Sequence, residues 1–141
     1  MVITENFKKL LKNLKDLDLP EGQFVVIGSG PLAVRGMRDT NDLDVVVTQD
    51  VWGELIKKYP VIVNSEGINR IDFGNGIETL ERNIRSIFTN SSVVPFDEIF
   101  EKPDVFEGVQ FMNLNHLKKI KLKMGREKDL ADVKLIDEYL V

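Results

Sequence analysis

The most constraining feature of the sequence is a pair of apolar segments joined by a very short connection. The segment Gln23–Ile27 runs into a glycine turn, and Asp42–Thr48 is the next predicted strand. Pro31 suits the first position of a helix. That helix must end by Gly36, because a polar stretch follows at once. A connection this short does not suit a βαβ crossover, which takes about a dozen residues or more. It favours an α+β fold.

Hydrophobic periodicity and turn residues divide the rest of the chain. The predicted helices cover residues 4–17 behind Thr4, Gln49–Tyr59, 116–124 capped by Asn115 and closed by Gly125, and 127–140 with Leu130, Val133, Ile136 and Leu140 on one face. Further strands are predicted at Val61–Val63, Ile68–Phe73 and Val109–Leu114, with a hairpin turn at Asn75-Gly76. We expect a single domain over 1–141: a small mixed β-sheet flanked by helices (core about 23–114) and a C-terminal helical hairpin (about 116–140).

Composition narrows the chemistry that this chain can perform. It has no cysteine and one histidine, His116, which excludes thiol catalysis, Cys-ligated zinc and His-cluster metal sites. His116 is expected to be a surface residue at a helix start. The chain also lacks an apolar run of the roughly 20 residues that span a bilayer. We therefore expect a soluble, cytoplasmic protein without membrane contact, whose chemistry uses carboxylates, lysines, arginines and hydroxyls.

Two aspartates at a strand start indicate a cation site. In Asp42-Leu43-Asp44 the alternation of a strand sends both carboxylates to one face. Like charges this close are unfavourable unless a cation neutralises them, and Mg²⁺ (or Mn²⁺) binds through a few carboxylates and substrate phosphates. Asp72, between apolar neighbours on a later strand, completes the set if that strand lies beside Asp42–Thr48. The alternative for Asp-x-Asp at a strand start is the capping of a turn.

Local charge adds a candidate anion site. The net charge is only −4, yet residues 116–134 hold seven basic and three acidic side chains. Backbone N–H groups at Gly28-Ser29 suit phosphate. The basic segment is either a solvated helix face or a partner for such phosphates.

The glycine turn also fits a competing pattern. Gly28-x-Gly30-x-x-Ala33 matches the dinucleotide-binding fingerprint, with Asp50 near the position that holds a ribose. The short helix after Pro31 counts against this alternative.

The order of these motifs resembles that of the nucleotidyltransferase superfamily, with the fold of polymerase β and kanamycin nucleotidyltransferase. An apolar segment leads into Gly28-Ser29, about a dozen residues follow, and then come Asp42-x-Asp44 and a later acidic residue. Two segments resemble the minimal, toxin-related branch of this superfamily, which includes abortive-infection AbiEii-type enzymes. They are Arg38-Asp39-Thr40-Asn41-Asp42-Leu43-Asp44 and the C-terminal Lys121…Gly125-Arg126-Glu127-Lys128-Asp129-Leu130-Ala131-Asp132. The resemblance covers about Phe24 to Leu135.

The resemblance implies transfer of a nucleoside monophosphate from an NTP to a hydroxyl or phosphate, with release of pyrophosphate. Gly28 and Ser29 would hold the β- and γ-phosphates, and Asp42 and Asp44 would bind the metal that bridges them. Asp72 would bind a second metal and help to deprotonate the attacking hydroxyl.

The C-terminal motif implies further roles. Lys121, with Lys128 or Arg126, would neutralise triphosphate charge, and Arg38 and Arg35 are candidate phosphate contacts. Asp132 would contact the active-site lysine or cap the last helix.

The acceptor stays open among a tRNA end, a protein hydroxyl and a small molecule, and an antitoxin or helical partner protein is expected. A catalytically inactive binding or regulatory module that keeps this fold, such as a toxin–antitoxin component, is the alternative of a different class.

Overall fold

The protein is a mixed α+β structure, as the sequence predicts. The computed structural model describes residues 3–63, 67–81, 94 and 96–141. The strands are β1 (Phe24–Ile27), β2 (Leu43–Val47), β3 (Ile62–Val63), β4 (Asn69–Asp72), β5 (Ile77–Leu80), β6 (Asp104–Phe106) and β7 (Val109–Phe111). The helices are α1 (Glu5–Asp16), α2 (Gly30–Ala33), α3 (Gln49–Leu55), α4 (Phe96–Glu101), α5 (Leu114–Met124) and α6 (Glu127–Leu140). Within these ranges no helix has the length and apolar character needed to cross a membrane.

The seven strands of the described ranges belong to one sheet, in the order β3-β4-β5-β2-β1-β7-β6. At its centre β1 and β2 are antiparallel, because the four-residue helix α2 is too short to return the chain for a parallel strand. Parallel neighbours flank this pair, with β5 beside β2 and β7 beside β1. The pattern Gly28-x-Gly30-x-x-Ala33 therefore does not open a βαβ unit, which is the structural context that dinucleotide binding requires.

Alternating side chains of the central strands bury two separate clusters. Phe24 and Val26 of β1 belong to a cluster with α1 and α3. Val25 and Ile27 belong to a second cluster with Leu117 of α5 and residues from α4 and α6. Because strand side chains alternate between faces, helices cover the sheet on both sides. The C-terminal hairpin thus lies on the same face as Val25 and Ile27.

The helix starts follow from capping side chains. The hydroxyls of Thr4 and Thr48 accept hydrogen bonds from backbone N–H groups of the first turns of α1 and α3. The predicted cap at Asn115 is wrong, because Asn113 performs this role two residues earlier: its side-chain oxygen accepts from His116 N at 2.8 Å. The hairpin around Asn75-Gly76 is confirmed by the antiparallel pairing of β4 with β5.

Two burial predictions in the C-terminal half are wrong. His116 is buried, with Nε2 3.3 Å from Glu98 Oε1, because α4 covers this part of α5. Leu130 and Leu140 are each about half exposed, at 49% and 50%. The buried face of α6 includes the predicted Val133 and Ile136, together with Asp129 and Asp132.

Candidate active site

A cavity of about 440 Å³ lies where the end of β1 and the start of β2 face α5 and α6. Its wall includes every site residue that the nucleotidyltransferase resemblance predicts except Asp72 and Arg35: Gly28, Ser29, Arg38, Asp42, Asp44, Lys121, Arg126, Lys128 and Asp132. Among the described residues, apolar side chains also line it: Ile27, Met112, Leu117, Ile120 and Met124. Residues from distant parts of the sequence therefore converge on one space.

Glycine shapes the turn that follows β1. Gly28 has a φ of 68°, in the left-handed region, and a Cβ there would lie 3.4 Å from Asp44 Oδ2. At Gly30 a Cβ would lie 2.4 Å from Val26 Cγ1, so only glycine lets α2 lie directly against β1. Between them, Ser29 Oγ accepts a hydrogen bond of 2.7 Å from Arg38 Nη2. The turn thus places the Gly28 backbone next to the Asp44 carboxylate and the Ser29 hydroxyl next to Arg38.

The carboxylates occupy the β2 side of the cavity. Asp42 is exposed just before β2, and Asp44 is half-buried on the strand. Burial, and then repulsion from Asp42 and Glu78, raises the pKa of Asp44 to about 7. The charged form of this carboxylate is therefore unfavourable until a cation approaches it.

Asp72 does not lie where the sequence analysis expects it. Its strand β4 is separated from β2 by β5, so the expected adjacency is wrong. The side chain is exposed, and its Oδ1 accepts a hydrogen bond of 2.8 Å from Gly74 N. Of the two strands in the hairpin, β5 and not β4 lies against β2. At the start of this parallel pairing, Leu43 N donates a hydrogen bond of 2.8 Å to Gly76 O.

Glu78 is the carboxylate that the sequence analysis missed. It is in register with Asp44 on one side and with Asp72 on the other, so all three side chains face the same side of the sheet. A signal was present, because Ile77-Glu78-Thr79 places an acidic residue inside a strand much as Ile71-Asp72-Phe73 does. Burial raises the pKa of Glu78 even though Arg70, with Nη1 2.8 Å from Glu78 Oε2, opposes this effect.

These carboxylates do not form a closed metal cage. Over the ranges that the structure describes, no three Asp, Glu or His side chains are grouped closely enough to hold an ion by themselves. Asp42 and Asp44 remain the carboxylates that open into the cavity from β2. A divalent ion there would draw further oxygen ligands from water or from a bound phosphate, as is usual for Mg²⁺.

On the opposite wall, Asp132 joins two cations. Arg38 binds it through both oxygens, with Nε 2.7 Å from Oδ1 and Nη2 2.9 Å from Oδ2. Lys121 Nζ lies 2.9 Å from the same Oδ2. Burial alone would raise the pKa of Asp132, but the hydrogen bonds from Arg38 and Lys121 hold it below its ordinary value. The expected contact between Asp132 and Lys121 is thus present in the structure.

A second buried carboxylate extends this arrangement. Asp129 accepts bonds from Arg126 Nε at 2.6 Å and Nη2 at 3.1 Å, and lies 3.7 Å from Lys121 Nζ. Five side chains of alternating charge are therefore linked in sequence by ion pairs. We call them the ion-pair chain: Arg38, Asp132, Lys121, Asp129 and Arg126. Its cations line the cavity, and so does the exposed Lys128.

Arg35 is not part of this wall. Its guanidinium is buried, donates to Pro31 O at 2.6 Å, pairs with Asp104 and lies over the Phe106 ring. The structure therefore does not bring Arg35 to the cavity as a phosphate contact.

The cavity is lined by the carboxylates Asp42 and Asp44 and by four cations, Arg38, Lys121, Arg126 and Lys128. Such a space can accept a polyanion whose charge is shared between a divalent ion and basic side chains. The sequence matches no protein-family model and no curated protein.

Proposed function

We propose that this protein is a Mg²⁺-dependent nucleotidyltransferase, which transfers a nucleoside monophosphate from an NTP to an acceptor. One observation carries the proposal: Asp42 and Asp44 open into the same cavity as Gly28-Ser29 and Lys121. The same residues carry the resemblance to the nucleotidyltransferase superfamily and to its toxin-related branch. NTP and Mg²⁺ are both plentiful in the cytoplasm, where we expect the protein to act.

The residues present fit a divalent ion. Asp42 and Asp44 offer hard oxygen ligands, and the raised pKa of Asp44 reflects a negative charge that burial and its neighbours disfavour. Asp42 and Asp44 would hold Mg²⁺ or Mn²⁺, whose charge would neutralise the pair. The ion would supply charge stabilisation of the phosphoryl group under attack and of the leaving pyrophosphate.

The other groups of the cavity fit the triphosphate. Gly28 and Ser29 lie beside Asp44, where they can hold phosphate oxygens next to the metal ligands. Lys121 and Arg38 face them from the ion-pair chain, and Arg126 and Lys128 lie on the same wall. Fixed cations of this kind stabilise a transition state when they are already in place before the reaction.

The reaction balances with these groups. The acceptor oxygen forms a bond to the α-phosphorus as the bond from that phosphorus to the oxygen of the β-phosphate breaks, and pyrophosphate leaves with the bonding electrons. The acceptor proton passes to a carboxylate on the sheet face that carries Asp44. We assign this role to Glu78 rather than Asp72, because Glu78 is in register with Asp44.

The ion-pair chain also favours a second candidate function. Arg38 and Lys121 already share Asp132 as a counter-ion, so part of their charge is neutralised without a ligand. A catalytically inactive module that keeps the fold and binds a regulatory partner would show the same arrangement. Transfer of label from an NTP distinguishes an enzyme from such a module.

The first test is binding. Mg²⁺ with one or more NTPs should raise the melting temperature of the wild-type protein and should not raise that of Asp42→Ala. Asp50→Asn, an exposed carboxylate on α3 that does not line the cavity, is the matched control and should respond like the wild type. Stabilisation of Asp42→Ala to the same extent would place the nucleotide elsewhere.

A further inference from the structure

An arginine lies among the carboxylates of the sheet face. Glu78 stands between Asp44 and Asp72 in register, and adjacent strands are about 4.8 Å apart. Arg70 lies two residues before Asp72 on β4, so its side chain projects from the same face. Its Nη1 is 2.8 Å from Glu78 Oε2, a diagonal contact between neighbouring strands.

This pair is partly shielded from solvent. The side chains of Arg70 and Glu78 are 25% and 30% exposed, so water screens their attraction less than it does for a fully exposed pair. The positive charge of Arg70 therefore acts on Glu78, the carboxylate that is in register with Asp44.

The resemblance to nucleotidyltransferases implies a second metal ion at the third carboxylate. In this chain the carboxylate that lies beside Asp44 is Glu78, and one of its oxygens is bound to Arg70. A guanidinium is permanently charged and presents five N–H donors in a plane, so it can bind a carboxylate and still offer hydrogen bonds to another oxygen. The guanidinium can thus stabilise nearby negative charge, as a bound metal ion would.

We propose that Arg70 is a fixed cation in place of a second metal ion, so that the chain binds one divalent ion together with an NTP, at Asp42 and Asp44. This inference rests on the proposed function, because it concerns the same substrate class and a carboxylate that is in register with Asp44. It assigns Arg70 the electrostatic role next to the acceptor that a second ion would otherwise have.

The test counts metal ions. Mn²⁺ is titrated into the protein saturated with a methylene-bridged, unreactive NTP analogue, and free Mn²⁺ is followed by electron paramagnetic resonance. We expect one Mn²⁺ per wild-type chain. Arg70→Ala frees Glu78 and should bind two, whereas Arg70→Ala combined with Glu78→Gln should return to one.

Two further variants separate this result from unfolding. Arg70→Lys keeps the charge and should still bind one Mn²⁺. Lys57→Ala, which removes an exposed surface ion pair with Glu54, is the control for loss of a cation and should match the wild type. Circular dichroism spectra and melting curves select the folded variants before the titration.

The outcomes are distinct. Two Mn²⁺ in the wild type, or one in Arg70→Ala, would overturn the role of Arg70 and leave the nucleotidyltransferase proposal standing. Absence of any nucleotide-dependent Mn²⁺ binding to the wild type would overturn both.

Discussion

Asp132 holds Lys121 at the cavity wall: Oδ2 lies 2.9 Å from Nζ, and the two side chains are 5% and 10% exposed. The same carboxylate binds Arg38 through both oxygens. Without it, Lys121 and Arg38 would lose the carboxylate that compensates their charge. The geometry thus makes Asp132 a positioning residue for the two basic side chains.

Asp132→Asn should therefore destabilise the protein. It keeps the shape but removes the charge that compensates Lys121 and Arg38. Breaking a buried ion pair costs about 3–5 kcal/mol, and since Arg38 is 35% exposed we expect about 1–3 kcal/mol here. Urea unfolding measures the change. Asp137→Asn, which removes an exposed pair with Lys118, should cost less than about 1 kcal/mol, and equal losses in the two variants would contradict this role.

The raised pKa of Asp44 predicts how stability depends on pH. The folded protein keeps this proton up to about pH 7, whereas the unfolded chain releases it near the ordinary aspartate pKa of 3.8. The folded state therefore binds more protons between these values, and the contribution of Asp44 to the unfolding free energy falls as the pH rises from about 4 to 7.

Asp44→Asn removes this contribution. At pH 8 without divalent ions it should be more stable than the wild type by about 1–4 kcal/mol, since one pKa unit corresponds to about 1.4 kcal/mol and water in the cavity reduces the effect. At pH 3 the two proteins should be alike. Urea unfolding from pH 3 to 8 gives the difference, and a wild type that is the more stable at pH 8 would contradict the prediction.

Gly28→Ala should weaken nucleotide binding by more than its cost in backbone strain. Its positive φ makes alanine unfavourable by about 1–2 kcal/mol, and its Cβ would enter the space next to Asp44. Gly22→Ala is the matched control, because Gly22 has a φ of 78° and a Cβ added there would meet no atom within 4 Å. Both variants should lose similar stability, but only Gly28→Ala should raise the Kd for Mg²⁺ and NTP. An equal Kd in the two variants would remove Gly28 from the phosphate site.

Glu78 and Asp72 should differ in their effect on catalysis. Glu78 lies beside Asp44 and Asp72 lies one strand further out, so Glu78→Gln should lower the rate of NMP transfer by about 10²-fold or more, as expected for a lost general base. Asp72→Asn should stay within a few-fold of the wild type. Initial rates under saturating NTP provide the comparison, and the reverse order would return the third carboxylate role to Asp72.

The residues of the cavity could be predicted from the sequence because their signals are local. Glycine in a turn, alternation in Asp42-Leu43-Asp44 and the spacing of the C-terminal motif depend on a few neighbouring residues. The choice between Glu78 and Asp72 could not be predicted from the sequence, because both strands of the hairpin, β4 and β5, carry an acidic residue. Which arm pairs with β2 depends on contacts between distant segments.

The buried face of the C-terminal helix α6 also depends on contacts between distant segments, which local sequence patterns do not predict. Periodicity correctly predicts α6 and the burial of Val133 and Ile136, but it wrongly places Leu130 and Leu140 on the buried face. The structure also buries Asp129 and Asp132, since Arg126, Lys121 and Arg38 compensate their charge. Only the folded arrangement brings Arg38 from the loop after α2 to these carboxylates.

Asp44 and a divalent ion bound to it should support transfer of NMP from an NTP. Each α-³²P-labelled NTP is incubated with the protein and separately with total RNA, total protein and small-molecule extracts, with Mg²⁺ or with a chelator. We predict label transfer to one of these fractions that requires Mg²⁺, is lost in Asp44→Ala and persists in the Asp50→Asn control. Transfer that is equally strong in Asp44→Ala, or no transfer from any NTP to any fraction, would contradict the account.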